Sequence, residues 1–410
     1  MEEKKIILFN KKEDCCGCGA CMNICSNQAI TMEEDAYGFL YPVINEAKCI
    51  RCLACKKVCA FQNITETNEP KQVYVASSRC DGQIMKSASG GVFAAFAIQI
   101  LENGGVVFGA SMDYSDGVLN PLHIGITKKK DLIKLQGSKY VQSAIGATYG
   151  EAEKYLMAGR TVLFSGTPCQ IAGLRELLKK DHENLITVDI ICHGVPSAKF
   201  FQDYLKALEE KLHGEIIDFK FRDKTRGWGL TGKALYKKAD GKVREKLIPS
   251  ELSSYYKLFL DSETYRENCY VCKYASSHRP GDITAGDYWG IQHEHPEVME
   301  RNGGIFSDKK GISCLIVNTD KGERYLEQFK YGLLNLVPST FEKAARENAQ
   351  LNRPSRRSNS RENLLELYQA QGFSAVEKFF EKKAGVKIWY HKVKNMMPKG
   401  LRNVLKKIMA

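Results

Sequence analysis

A chain of 410 residues, 43% hydrophobic and 26% charged, has the makeup of two or three globular domains. No long uncharged apolar run occurs, which excludes a membrane-spanning helix, and the opening MEEKKIILFN lacks the apolar stretch and cleavage site of a secretory leader, so a cytoplasmic location is expected. In a reducing compartment fifteen cysteines are metal ligands or catalytic groups before they are disulfides, and thiolates bound to metal subtract from the formal charge of +12, so no nucleic-acid partner is expected.

Residues 14–25 read DCCGCGACMNIC, and residues 49–59 read CIRCLACKKVC. Cys15, Cys18, Cys21 and Cys25 align with Cys49, Cys52, Cys55 and Cys59, each pair 34 residues apart, as 49 is from 15. Both runs spell C-x2-C-x2-C-x3-C, the spacing that holds [4Fe–4S] cubanes in two-cluster ferredoxins. Three closely spaced cysteines wrap one cube, and the fourth starts a helix that leads to the other. The expected ligand sets are therefore Cys15, Cys18, Cys21 and Cys59 for one cluster, and Cys49, Cys52, Cys55 and Cys25 for the other. Zinc is the alternative, but zinc sites use paired CxxC units rather than two four-cysteine runs. Cys16 is surplus, since its counterpart in the second run is Ile50. Ser26 and Ala60 stand where such runs usually carry proline.

The module of residues 1–63 gives way to a polar linker at 64–71, signalled by NITETNEP (63–70). Strands are predicted at VYVASS (73–78), VVFGA (106–110), TVLFS (161–165) and LITVDIIC (185–192). Helices are predicted after SASGG, with Val92, Phe93, Phe96, Ala97, Ile100 and Leu101 on one face, and over PCQIAGLRELLKK (168–180). This alternation predicts a mainly parallel sheet in residues 72–195. From about residue 214 an antiparallel texture takes over within 196–355; a helix follows near 252–260, and the chain reads as helical after 320. Residues 356–410 form a basic helical tail. The expected fold is thus α+β or α/β: a two-cluster ferredoxin-like module, a mixed α/β body and a helical C-terminal segment.

Cys169, in GTPCQ, and Cys192, in CHG, each follow a predicted strand, where open parallel sheets place their ligands. Cys269 and Cys272 form a CxxC that would complete a third four-cysteine site. Two alternatives stand beside it: Cys169 and Cys192 as small buried hydrophobes, and the CxxC as half a zinc site or a redox pair. Cys80 and Cys314 read as structural, and His193 as a weak proton-relay candidate. GWGLTGKA (227–234) imitates a P-loop but has Ala234 where a Mg²⁺-binding hydroxyl is needed, and no G-x-G-x-x-G follows any strand.

The motifs SASGGVF (87–93), LQGSKYVQS (135–143), GTPCQIAGL (166–174), CHGVPS (192–197), FRDK (221–224), CYVCKYA (269–275) and GDITAGDYWG (281–290) run in one order. With them the chain resembles the beta subunit family of coenzyme F420 hydrogenases and F420-linked dehydrogenases, in the form with an N-terminal ferredoxin module. The resemblance implies an iron–sulfur flavoenzyme with FAD in the α/β body and a third [4Fe–4S] cluster on Cys169, Cys192, Cys269 and Cys272. It further implies flavin contacts from Ser89, Gly90, Gly91, Ser138, Lys139 and Tyr140. A ferredoxin-like or other redox protein would deliver electrons at the first two clusters. A two-electron carrier, F420 or another, or a small organic substrate would receive them. The rival readings are a non-catalytic electron-transfer subunit and a reductase of a polysaccharide or cell-envelope precursor. Lys273, Tyr274 and Ala275 depart from the acidic residue that many family members carry after the CxxC.

Two cationic stretches complete the chain. Arg353, Arg356, Arg357 and Arg361 suit phosphates or an acidic substrate, or simply a solvated loop. Beyond Trp389 and Tyr390, Leu401, Val404, Leu405 and Ile408 make an apolar stripe among lysines and arginines. Such a helix suits peripheral association with the inner face of a membrane, or docking on the body or a partner.

Overall fold

In the computed structural model, which describes residues 5–396, the two cysteine runs fold as copies of each other. Each ends in one helical turn, Ala20–Asn23 or Ala54–Lys57, entered through a left-handed residue, Gly19 (φ 73°) or Leu53 (φ 62°). A second left-handed residue lies two positions earlier in each, Gly17 (φ 66°) and Arg51 (φ 57°). These reversals turn the chain tightly enough for three cysteines to face inward. Strands β1 (Ile30–Glu34) and β2 (Leu40–Ile44) form the antiparallel hairpin between the runs.

The remaining strands are β3 (Gln72–Ser78), β4 (Val106–Ser115), β5 (Val118–Ile126), β6 (Val162–Gly166), β7 (Leu185–Ile190), β8 (Gly214–Lys220), β9 (Thr231–Lys238), β10 (Val243–Pro249), β11 (Ile283–Asp287), β12 (Ser313–Val317) and β13 (Leu334–Ser339). Eight of them form one sheet in the order β13-β3-β12-β11-β7-β6-β4-β5. Within it β4, β6, β7 and β11 run parallel, whereas β5, β12, β3 and β13 attach antiparallel. The sheet is therefore mixed, not mainly parallel. Its antiparallel part joins β3 to strands more than two hundred residues away, which local alternation cannot reveal. β13 also interrupts the stretch expected to be helical after 320, because six residues are too few to show a period.

Strand alternation gives this sheet two buried faces. Leu163 of β6 joins one core with the Val92–Glu102 helix; Val162 and Phe164 join another with the Pro168–Leu178 helix. Phe164 is fully buried, and its truncation to alanine is expected to cost about 3–5 kcal/mol. A separate aromatic core lies between β8–β10 and the helices Ala198–Leu212, Ser254–Leu260, Arg361–Gln371 and Phe373–Ala384. No helix among the described residues is long and apolar enough to cross a membrane. Trp389 is exposed on the Val386–Met396 helix, and the stripe from Leu401 to Ile408 lies outside the described residues.

Candidate functional site

Neighbouring parallel strands β6 and β7 end side by side and deliver two cysteines to one place. Cys169 sits in the first turn of the Pro168–Leu178 helix, which Thr167 and Gln170 close with reciprocal capping bonds. Cys192 follows β7 directly. The turn Glu267–Val271 and its C-cap bring Cys269 and Cys272 over them. That turn is tied down by Arg361, whose Nη2 donates to Tyr265 O at 2.7 Å and whose Nη1 pairs with Glu267 at 2.7 Å. All four thiols, with Cys16, line one cavity of about 350 Å³.

Burial and mutual repulsion hold these thiols neutral. The Cys169 thiol is pushed well above its ordinary value by a hydrogen bond shared with Cys16 and by burial. Burial first, then neighbouring cysteines, raises Cys192 to about 12 and Cys272 to about 11. Such a group ionises only with compensating positive charge, as metal or cluster binding supplies. Among the described residues no three His, Cys, Asp or Glu side chains close on a single ion. Four sulfur donors facing one cavity are a set of the kind that zinc or an iron–sulfur cube takes.

The ferredoxin-like module lies against this site. Cys25, Cys49, Cys52 and Cys55 line a small second cavity, so the fourth cysteine of the first run stands with the first three of the second. In the other set, Cys21 is pushed up to about 12 by burial and then by Cys15 and Cys59. Cys18 packs on the Pro168–Leu178 helix, where a Cβ on Gly173 would come within 2.9 Å of its sulfur. Cys16 is 5% exposed, packs in one core with Cys18 and lines the same cavity as Cys169. It thus stands between the first cysteine set and the body's four thiols.

Ser89, Gly91, Ser138, Lys139 and Tyr140 line the same cavity. Gly91 (φ 84°) caps the Val92–Glu102 helix with no side chain bonded to its first amides, and Gly91, Val92 and Phe93 line the cavity. Gly90 does not line it: a Cβ there would lie 2.5 Å from Ala76 O, so its bareness serves helix–sheet packing. The Ser89 hydroxyl is spent on Ile312 O at 2.7 Å. Lys139 donates to Lys134 O and Gln136 O at 3.0 Å, and burial lowers its pKa to about 7. The Tyr140 hydroxyl accepts from Arg222 at 2.9 Å while its ring stacks on Phe259. His193 lines the cavity, and burial lowers its pKa; its ring makes no hydrogen bond among the described residues.

Several further groups emerge only from the fold. Lys224, in FRDK, is buried and donates to Ile84 O and Ser89 O at 2.7 Å, fixing the SASGG loop; burial lowers its pKa to about 7. Arg279 pairs with Asp189 at 2.6 Å beneath Cys192, both buried, and anchors the segment after the CxxC. Arg266, 0% exposed, donates from Nε to Cys15 O at 2.9 Å. Of the four arginines at 353–361, Arg357 and Arg361 are held in ion pairs, whereas Arg353 and Arg356 are exposed. Cys314 is buried in β12, and Cys80 is exposed.

Comparison with known proteins gives matching results. Residues 14–63 match the family model described as 4Fe-4S dicluster domain. Residues 159–339 match the family model for the C terminus of the coenzyme F420 hydrogenase/dehydrogenase beta subunit. A coenzyme F420-dependent sulfite reductase from Methanocaldococcus jannaschii is 30% identical over 171 residues, 40% of this chain and 25% of that protein. This chain thus aligns with about a quarter of that relative's length. A solved chain of the F420-reducing [NiFe] hydrogenase complex from Methanosarcina barkeri has 17% identity and a TM-score of 0.43, covering 78% of this chain and 95% of that one.

Proposed function

We propose that this chain, which carries a 4Fe-4S dicluster domain and the C-terminal domain of the coenzyme F420 hydrogenase/dehydrogenase beta subunit family, is an iron–sulfur flavoprotein oxidoreductase. In this reading a redox protein delivers single electrons at the dicluster, and an electron pair leaves to a two-electron carrier such as F420 or to a small organic substrate. The observation that carries the proposal is that one cavity is lined both by four thiols with Cys16 and by residues of the SASGG and LQGSKY loops.

Clusters supply one-electron steps, and a flavin converts between one- and two-electron chemistry. The chain's residues supply the surroundings. Cys169, Cys192, Cys269 and Cys272 form a sulfur-only donor set for a third [4Fe–4S] cluster. The amides opening the Val92–Glu102 helix suit the phosphates of FAD. Lys139, with its lowered pKa, can hold or release a proton near neutral pH beside a reduced ring. Lys224 positions Ser89 and the loop before that helix. Arg353 and Arg356 flank Pro354 and Ser355 on the cavity wall, where they suit an anionic substrate or cofactor phosphate.

A second reading, an electron-transfer subunit that wires a partner enzyme, is favoured by one observation: the matching segment is only 25% of the sulfite reductase. Anaerobic preparation with iron, sulfide and flavin assays separates the two. The oxidoreductase reading expects about 12 iron atoms and one FAD per chain; loaded clusters with no flavin after reconstitution would leave the wiring role. Bleaching of F420 by the reduced protein then tests the carrier. Reduction of an artificial dye without any F420 bleaching would point to a different acceptor.

A further inference from the structure

Among the described residues four arginines are deeply buried, and three have carboxylate partners: Arg222 with Asp287, Arg279 with Asp189, and Arg361 with Glu267. Arg266 has none among the described residues. Its Nε donates to Cys15 O at 2.9 Å and its Nη1 to Gln142 Oε1 at 3.3 Å, while Nη2 lies 3.6 Å from Cys15 Sγ. The guanidinium lies over the Tyr41 ring at 3.9 Å. A buried cation without a counter-charge is costly, so such groups are nearly always paired. Here the negative charge must come from sulfur.

We propose that Arg266 compensates the charge of the cluster held by Cys15, Cys18, Cys21 and Cys59, and makes it the higher-potential member of the dicluster; this rests on the ligand assignment given above. A cubane with its four thiolates changes from 2− to 3− when a one-electron donor reduces it, with no proton taken up. A fixed cation beside one sulfur stabilises the more negative state. In the other set Arg51 lines the cavity but is only half-buried, where solvent and salt screen its charge, and Cys25 Sγ accepts the neutral amide of Ala29 at 3.3 Å. Arg266 stands three residues before Cys269, and its own amide donates to Val195 O at 2.9 Å. One residue thereby fastens the ferredoxin-like module to the four-thiol site and biases electrons from the Cys52 side towards the body.

The test is anaerobic potentiometric titration of the fully loaded protein, followed by electron paramagnetic resonance. The Cys15→Ala variant identifies the signal that belongs to this cluster. Arg266→Gln is expected to lower the reduced-to-oxidised ratio of that signal at least tenfold at a given potential, about 59 mV for one electron. The Cys25, Cys49, Cys52 and Cys55 signal should stay in place. Arg266→Lys, which keeps the charge, should remain within about threefold of the parent. Iron lost from Arg266→Gln but kept by Arg266→Lys, with its potential retained, also supports a requirement for charge. An unmoved potential in Arg266→Gln, equal shifts in both variants, or equal iron loss from both overturns the proposal. Full iron in Cys15→Ala would instead refute the ligand assignment and remove the basis of this inference.

Discussion

The two cysteine runs share spacing, backbone reversals and a helical turn, yet they sit in opposite surroundings. In the second run the left-handed positions are Arg51 and Leu53, with Leu53 45% exposed; Ile50 beside them is 64% exposed. In the first run the same positions are Gly17 and Gly19, and the counterpart of Ile50 is the buried Cys16. The difference follows from packing. A Cβ on Gly17 would lie 2.8 Å from Gln142 Nε2 and 3.0 Å from Arg266 Cζ, whereas the second run has room for the half-buried Arg51 at that position. A repeat that looks uniform is thus polarised, with one copy facing outward and the other joined to the body. In the proposed function a redox partner would meet the outer copy, while the body's thiols meet the inner one.

The comparison is broken most directly by removing ligands. Cys15→Ala should lose about four iron atoms per chain, whereas Cys16→Ala should lose none, measured by iron and sulfide content. Iron loss from Cys16→Ala would make it a ligand and end its role as the surplus residue between the two sites. A smaller effect is expected from the reversals. Gly17→Ala forces a side chain into a left-handed position already crowded by Arg266, at a cost of roughly 2 kcal/mol. Leu53→Gly, at the part-exposed counterpart of Gly19, should stabilise by up to about 1 kcal/mol. Thermal loss of cluster absorbance in the two variants gives the signs; equal destabilisation by both would mean that the copies are not differently packed.

Some of this is legible in the sequence. The dicluster domain is, because its cysteines fall in two short runs whose spacing alone carries the signal. Cys169 and Cys192 are, because strand ends are predictable from apolar runs and parallel neighbours share a crevice. The mixed sheet is not: β3 pairs with β12 and β13, and no local period encodes so distant a partner. Gly90, expected as a flavin contact, packs instead on β3 and β12, which depends on that same pairing. Arg266 carries no motif, lying one residue after Tyr265 in an ordinary stretch, and its meaning arises only where it meets Cys15, 251 residues earlier. Lys224 stands inside the FRDK motif, but its contacts to Ile84 and Ser89 depend on the fold.

The central claim is that electrons pass from the dicluster through the four-thiol site to a flavin in the shared cavity. Its most direct test is rapid anaerobic mixing of a one-electron donor with loaded protein, following cluster and flavin absorbance together, in the parent and in Cys269→Ala. The account predicts that the parent reduces both, whereas Cys269→Ala, with about four fewer iron atoms, reduces the dicluster and leaves the flavin oxidised. Flavin reduction at the parent rate in a Cys269→Ala protein that has lost that iron would contradict it.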